Sequence, residues 1–311
     1  MLAASVVVVA PLAVSPGTAE SSGVGPDCSG WLTVAFWKAA AAEDAGRCLA
    51  EGTKIDVRDN SGRTPLHYAV GEDKAAMVTA LIAAGAKIDA RDRRDETPLH
   101  KAAGSRSAAT VNDLIAAGAK IDARDKGGST PLHLATGSGI AALVNGLTHG
   151  ERDSTPLLLA DMVDLLIASI EKARVQDREA LSRLLLPKLR WKGNTDTANA
   201  LIAAGAEVDA RDKQGKTPLH YAVGMGWTDT VNLLIAADAK VEERDRFGRT
   251  PLHHAAANGR AESIIALLDS GASAAARTES GDTAFDFARI HQAEKLRGTH
   301  VWRRLRDATP K

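Results

Sequence analysis

The sequence predicts an all-α solenoid: helix-turn-helix units stacked on one another, each with a projecting turn, and the row interrupted by a helical insertion. Three observations carry this. The tetrapeptide Thr-Pro-Leu-His occurs at residues 64–67, 97–100, 130–133, 217–220 and 250–253. The interval from Thr64 to Thr97 recurs unchanged from Thr97 to Thr130 and from Thr217 to Thr250. One more such interval reaches Thr283, where the motif decays to Thr-Ala-Phe-Asp. A fixed period of this length marks units that bury their apolar faces against their neighbours. The composition agrees: 44% of the 311 residues are hydrophobic but only 4% are aromatic, as suits closely packed, alanine-rich helices.

Each element of one unit follows from its residues. Asp59, Asn60, Ser61 and Gly62 read as a turn, with glycine supplying the positive φ. Thr64 stands where a helix N-cap belongs, and Pro65 takes the first helical position, where a missing N–H costs nothing. Leu66, Ala69 and Val70 give a short first helix its apolar side; Met77, Val78, Leu81 and Ile82 do the same for an antiparallel second helix. Gly85 ends that helix in the left-handed conformation, as Gly118, Gly205 and Gly271 do in other units. Asp238 takes the place in one copy, a residue that tolerates positive φ better than most. Alanines 69, 102, 135, 222 and 255 let first helices approach closely.

The period and the Thr-Pro-Leu-His-x-Ala pattern resemble the ankyrin-repeat family over most of the chain. The resemblance implies stacked repeats whose turn tips and first helices bind partner proteins. It also implies that the motif histidine serves turn and helix-start backbone groups. The Cys-containing start and the capped end further resemble exported, periplasmic bacterial ankyrin-repeat proteins.

The N-terminus is of another kind. Residues 2–14 are apolar apart from Ser5 and Pro11 and lead to small residues at 17–19. Residues 1–19 read as a secretory signal cut after Ala19, although no Lys or Arg precedes Lys38. The alternative is a disordered apolar tail; the run is short of the ~20 residues a membrane span needs. Two cysteines, Cys28 and Cys48, form an isolated pair near this start. In an exported chain they read as a disulfide pinning the N-terminal segment over the stack, a loop worth about 3 kcal/mol. Two inert thiols are the alternative.

Taken in order, 20–30 is a leader and 31–58 an N-terminal capping repeat, in which Trp31, Phe36 and Trp37 shield the end of the stack. Repeats fill 59–136. The stretch from Thr130 to Leu201 is then several times longer than the matching stretch from Thr64 to Leu81. Residues 137–193 are therefore either a helical insertion projecting from one repeat or a run of degenerate repeats. Repeats resume over 194–277, and 278–311 reads as a C-terminal capping repeat.

The sequence offers little chemistry. Five of nine histidines, His67, His100, His133, His220 and His253, are motif residues one repeat apart, too far to share a metal ion. No nucleophile elbow, phosphate loop or zinc-protease motif is present. No catalytic residue, metal or cofactor is expected. With 39 basic and 39 acidic residues, generic attraction to nucleic acid is not indicated.

The turn tips vary from repeat to repeat and carry Arg63, Arg93, Arg94, Lys126, Lys213, Lys216, Arg246, Phe247 and Arg249. These are the candidate partner-binding residues, expected as one row facing an acidic protein surface, with Phe247 as apolar anchor. A solvated rim is the plain alternative. The expected function is a monomeric, non-catalytic scaffold of the bacterial cell envelope, periplasmic or secreted. Its rivals are an effector acting on a host protein and an enzyme hosted by 137–193.

Overall fold

The computed structural model describes residues 27–105, 107–137, 195–291 and 296–307. The expected signal, most of the leader and nearly all of the 137–193 segment lie outside the described residues.

Apart from one isolated bridge between Arg277 and Thr283, the described residues are helices and turns. Helices α1 (Val34–Ala39) and α2 (Ala42–Ala50) form the first pair; α3 (Pro65–Gly71) and α4 (Ala75–Ala83) form the next. Then come α5 (Pro98–Ser105) with α6 (Ala108–Ala116), and α7 (Pro131–Ala135) with α8 (Thr195–Ala203). The stack continues through α9 (Pro218–Met225) and α10 (Thr228–Ala236), then α11 (Pro251–Ala257) and α12 (Ala261–Asp269). It closes with α13 (Ala284–His291) and α14 (His300–Asp307). Like packs on like: first helices line one side, second helices the other.

The core is the periodic pattern in space. Leu66, Leu99, Leu132, Leu219 and Leu252 on first helices are fully buried, as are Leu81, Leu114, Leu201, Leu234 and Leu267 on second helices. Burying each is worth roughly 2 kcal/mol. The five small alanines lie between them with almost no exposure. Gly85, Gly118, Gly205 and Gly271, and Asp238, all have positive φ after their helices, as expected.

The motif histidine joins each repeat to the next. Thr64 N–H donates to His67 Nδ1 at 3.1 Å, so the opposite nitrogen carries the proton, and His67 Nε2 donates to Glu96 O at 3.2 Å. His100, His133, His220 and His253 repeat the arrangement, reaching the carbonyls of Ser129, Lys216, Arg249 and Asp282. This wiring needs neutral imidazole, and burial supplies it, holding His67 and His133 down to about 4 and His220 to about 3. In the last unit Asp286 replaces histidine. Its carboxylate accepts from Thr283 N–H at 3.0 Å, so it caps its own helix. It has no second nitrogen to reach onward, which fits the end of a row.

The repeats flanking residues 138–194 are direct neighbours. Arg91 Nη1 donates to Arg124 O, one repeat on, at 2.8 Å. Arg124 Nη1 makes the same bond to Arg211 O, on the far side of that stretch, at 2.7 Å. The last described residue before it is Gly137, at φ +110°, tucked under Trp227 and Met225 where a Cβ would meet Met225 at 2.8 Å.

Both ends are sealed. Trp31, Phe36 and Trp37 are buried, with ring centroids 5.0–5.4 Å apart, and Trp37 stacks on Tyr68 at 6.4 Å. Cys28 is bonded to Cys48 on α2. At the far end Leu296, Val301 and Leu305 are buried, and Arg304 pairs with Asp269 at 2.8 Å.

Candidate functional site

Six short turns project from the stack: 59–63, 92–96, 125–129, 212–216, 245–249 and 278–282. We call them fingers one to six. In the first, Asp59 N–H donates to Arg63 O and Gly62 N–H to Asp59 O, both at 3.0 Å. Asp59 Oδ1 accepts from the N–H groups of Ser61 and Arg63 at 2.8 and 2.7 Å. Aspartate is therefore the residue that folds a finger around its own carboxylate. Gly62 is needed twice: its φ is +75°, and a Cβ would stand 3.0 Å from Arg93 N of the next finger.

Adjacent fingers are tied through their backbones. Arg93 N–H donates to Ser61 O, Lys126 to Arg94 O, Lys213 to Gly127 O, Arg246 to Gln214 O and Glu279 to Phe247 O, at 2.8–3.2 Å. The tips thus form one continuous hydrogen-bonded edge, and side chains at equivalent positions are held in register.

The nine candidate residues do not form a single row; they occupy three finger positions. Arg93, Lys126, Lys213 and Arg246 follow the aspartate on fingers two to five, all exposed. They are flanked by Asn60 on the first finger and Glu279 on the sixth. Arg94 and Phe247 stand one residue further on. Arg63, Lys216 and Arg249 are the last residues of their fingers. They are half-buried because that position donates its N–H to the finger aspartate, and in Lys216 and Arg249 also lends its carbonyl to a motif histidine.

A second row, missed by the sequence reading, completes the face. At a constant spacing after the first finger residue, aspartate in fingers one to five and Thr278 in the sixth, the first helix presents Tyr68, Lys101, Leu134, Tyr221, His254 or Phe287. Tyr68 and Tyr221 donate their hydroxyls to Asp59 and Asp212 Oδ2 at 2.8 and 2.6 Å. His254 Nε2 donates to Asp245 Oδ2 at 2.9 Å. Lys101 Nζ pairs with Asp92 at 3.4 Å and with Glu96. The constant spacing was the available signal.

The local electrostatics differ along the edge. In fingers one and two Arg63, Arg94 and Lys101 are matched by carboxylates, while Arg93 is exposed. Arg63 pairs with Asp59 at 2.8 Å and lies over Tyr68; Arg94 and Lys101 both face Glu96. Burial alone would raise the Glu96 carboxyl, but Lys101 and Arg94 hold it below its usual range. In fingers four and five the aspartates are satisfied by neutral donors. Burial works against Asp245, yet His254 and two finger N–H groups hold it well below the usual carboxylate range. Lys216 is pushed down by burial, with Arg249 and Arg246 adding to the effect against Asp212 and Asp245. Its ammonium lies over Tyr221 at 5.2 Å. Arg246 and Arg249 lie over Phe247 at 4.6 and 4.9 Å, and Arg249 also over Phe287 at 5.3 Å.

Finger three is the exception. Leu134 offers Asp125 no donor, and burial pushes that carboxyl up. Among the described residues, no group of three His, Cys, Asp or Glu is placed to hold a metal ion. What the edge presents is a rigid, side-chain-variable surface of tips and first helices.

Comparison with known proteins gives a consistent picture. The family model described as ankyrin repeats (3 copies) matches residues 22–92, 74–156 and 189–278. No curated protein matches. Among solved structures, the chain is similar to the crystal structure of the human ASB11 ankyrin repeat domain. The TM-score is 0.60 at 22% identity, covering 88% of this chain and 98% of that one. At that identity the likeness speaks to the fold.

Proposed function

The chain belongs to the ankyrin-repeat family, and on that premise we propose that it is a non-catalytic scaffold of the bacterial cell envelope. Ankyrin repeats generally mediate protein–protein interaction. This one binds a partner protein with an acidic surface through its finger tips and first helices. The observation that carries the reading is the tip edge. Arg93, Lys126, Lys213 and Arg246 stand exposed at one position of four consecutive fingers, on backbones hydrogen-bonded to each other. A preordered row loses little entropy on binding and raises the association rate of an opposite charge.

Export is the second part of the proposal. Residues 1–19 direct the chain out of the cytosol, and the Cys28–Cys48 disulfide supports an oxidising compartment. Among the described residues no helix is long and apolar enough to cross a membrane. The experiment is affinity capture from the periplasm with wild type and with Arg93, Lys126, Lys213 and Arg246 all changed to Glu. Loss of the partner from a folded variant is expected; the same partner at the same salt tolerance would refute the tip edge. Mass spectrometry of the mature chain checks cleavage after Ala19, and an intact Met1 terminus would refute it.

A further inference from the structure

The edge is not uniform, and its differences locate a site. Counting finger residues alone, the formal charge from finger one to finger six runs 0, −1, 0, +1, +1 and −2. Only fingers four and five are net basic. Their cations Lys213, Lys216, Arg246 and Arg249 make no ion pair within 4 Å among the described residues.

Apolar exposure falls in the same place. The two exposed large hydrophobic residues among those described are Phe247, 43% exposed, and Ile290, 66% exposed. Phe247 is on finger five. Ile290 lies on α13, one turn after Phe287 and so on the same helix face. Arg249 lies over both Phe247 and Phe287, which joins the finger to the helix. Unmatched cations beside exposed apolar surface are what a hot spot needs: a desolvatable anchor ringed by charge.

We infer that fingers four and five, with the first helix of the sixth unit, form a docking site for an extended acidic protein segment that carries an apolar residue. This rests on the scaffold reading above and narrows it. Charge complementarity sets the polarity. Carboxylates of the segment meet Lys213, Lys216 and Arg246, and the apolar residue sits against Phe247, Phe287 and Ile290. Glu279 and Asp282 on finger six close the far side to further acid. Register follows from spacing. Neighbouring helices pack about 8–10 Å apart and an extended chain advances about 3.3 Å per residue, so one repeat corresponds to about three residues. The acidic residues and the apolar anchor therefore recur at about that interval.

The test uses two fluorescein-labelled peptides, Gly-Ser-Glu-Ser-Gly-Glu-Ser-Gly-Leu-Gly-Ser and the same sequence with Ala for Leu. Anisotropy is read against the full mature chain. Saturable binding of the Leu peptide is expected, weakening with added salt. It should weaken about tenfold or more with Phe247→Ala, with the Lys213→Glu/Arg246→Glu pair, and with Ala for Leu in the peptide. The milder Lys213→Gln/Arg246→Gln pair, with its melting temperature checked, guards against misfolding and should also weaken binding. Lys120→Glu, exposed on the turn after α6 and outside the fingers, should leave it unchanged. No saturable binding, equal binding of both peptides, or binding that survives Phe247→Ala overturns the site. If the peptide fails while the four-finger reversal still loses the captured partner, this site is wrong and the scaffold reading stands. If both fail, both are wrong.

Discussion

Fingers one and two and fingers four and five are built on the same frame and spend their charge differently. In each, an aspartate closes the turn and meets a side chain of the following first helix. At the front cations join the frame: Arg63 pairs with Asp59, which also accepts from the Tyr68 hydroxyl, and Lys101 pairs with Asp92 and Glu96. At the rear it is satisfied by the Tyr221 hydroxyl and the His254 imidazole, both neutral. Lys216 and Arg249 are left to lie against aromatic rings. On the reading proposed above, one frame recurs along the stack while the side chains free to bind differ from stretch to stretch. Periodic residues build the frame, and departures from the period mark the site.

The contrast can be broken first at the frame. If both halves depend on the same neutral histidines, acid should dissolve both. Burial lowers the folded pKa of each motif histidine below the ordinary 6.5, so the unfolded chain binds more protons as pH falls. The stability these groups contribute is complete above about 6.5 and is lost on acidification towards about 4. For His67 alone the loss is on the order of 3 kcal/mol, and several such losses exceed what a domain can spare. Urea midpoints should be flat from pH 7 to 8 and fall steeply below 6.5, with amide exchange rising in 59–124 and 212–277 alike. A flat midpoint down to pH 4, or one half surviving the other, would show that the frame is not shared.

The next effect belongs to the front end alone. Cys28→Ser with Cys48→Ser should cost about 3 kcal/mol and loosen residues 34–50. Because each repeat feels mainly its neighbours, amide exchange in 212–277 should not change. Equal loosening of both regions would contradict nearest-neighbour stability.

Equivalent finger positions sharpen the contrast. Glu96→Lys removes a buried partner of Lys101 and adds a like charge, and should destabilise by roughly 2 kcal/mol. Lys216→Ser, at the matching position of finger four and with serine already present at 129, breaks no ion pair. It should stay within about 0.5 kcal/mol. Chemical denaturation of the two variants decides; similar costs would erase the distinction between front and rear.

The smallest effect is a repair. Leu134→Tyr supplies finger three with the hydroxyl that Tyr68 and Tyr221 give theirs. Stabilisation of about 0.5–1 kcal/mol is expected, with the Asp125 carboxyl lowered towards its ordinary range. A neutral or harmful change would mean that Asp125 is already satisfied by water.

Much of the frame was legible in the sequence because it repeats. Thr-Pro-Leu-His gave the helix starts, the glycines and Asp238 the helix ends, and the fixed period the stacking. The role of the histidine came from family resemblance; its reach to the next repeat required seeing Glu96 O against His67 Nε2. The site was less legible because it depends on which charges are already matched. Arg63 and Arg249 look alike in sequence, yet one pairs with a carboxylate and the other lies between two phenylalanines. Their difference follows Phe247 and Phe287 beside Arg249, where Ser61 and Lys101 stand at the equivalent positions for Arg63. Ile290 went unnoticed because a lone apolar residue in a degenerate last repeat carries no periodic signal.

A shared frame with its binding face at the rear is tested most directly by site-specific photo-crosslinking in the producing cell. A benzophenone amino acid is placed singly at Arg93, Lys126, Lys213 and Phe247. The expected result is one partner adduct, strong from 213 and 247 and weak or absent from 93. An adduct of equal yield from all four positions, or one confined to 93 and 126, would contradict it.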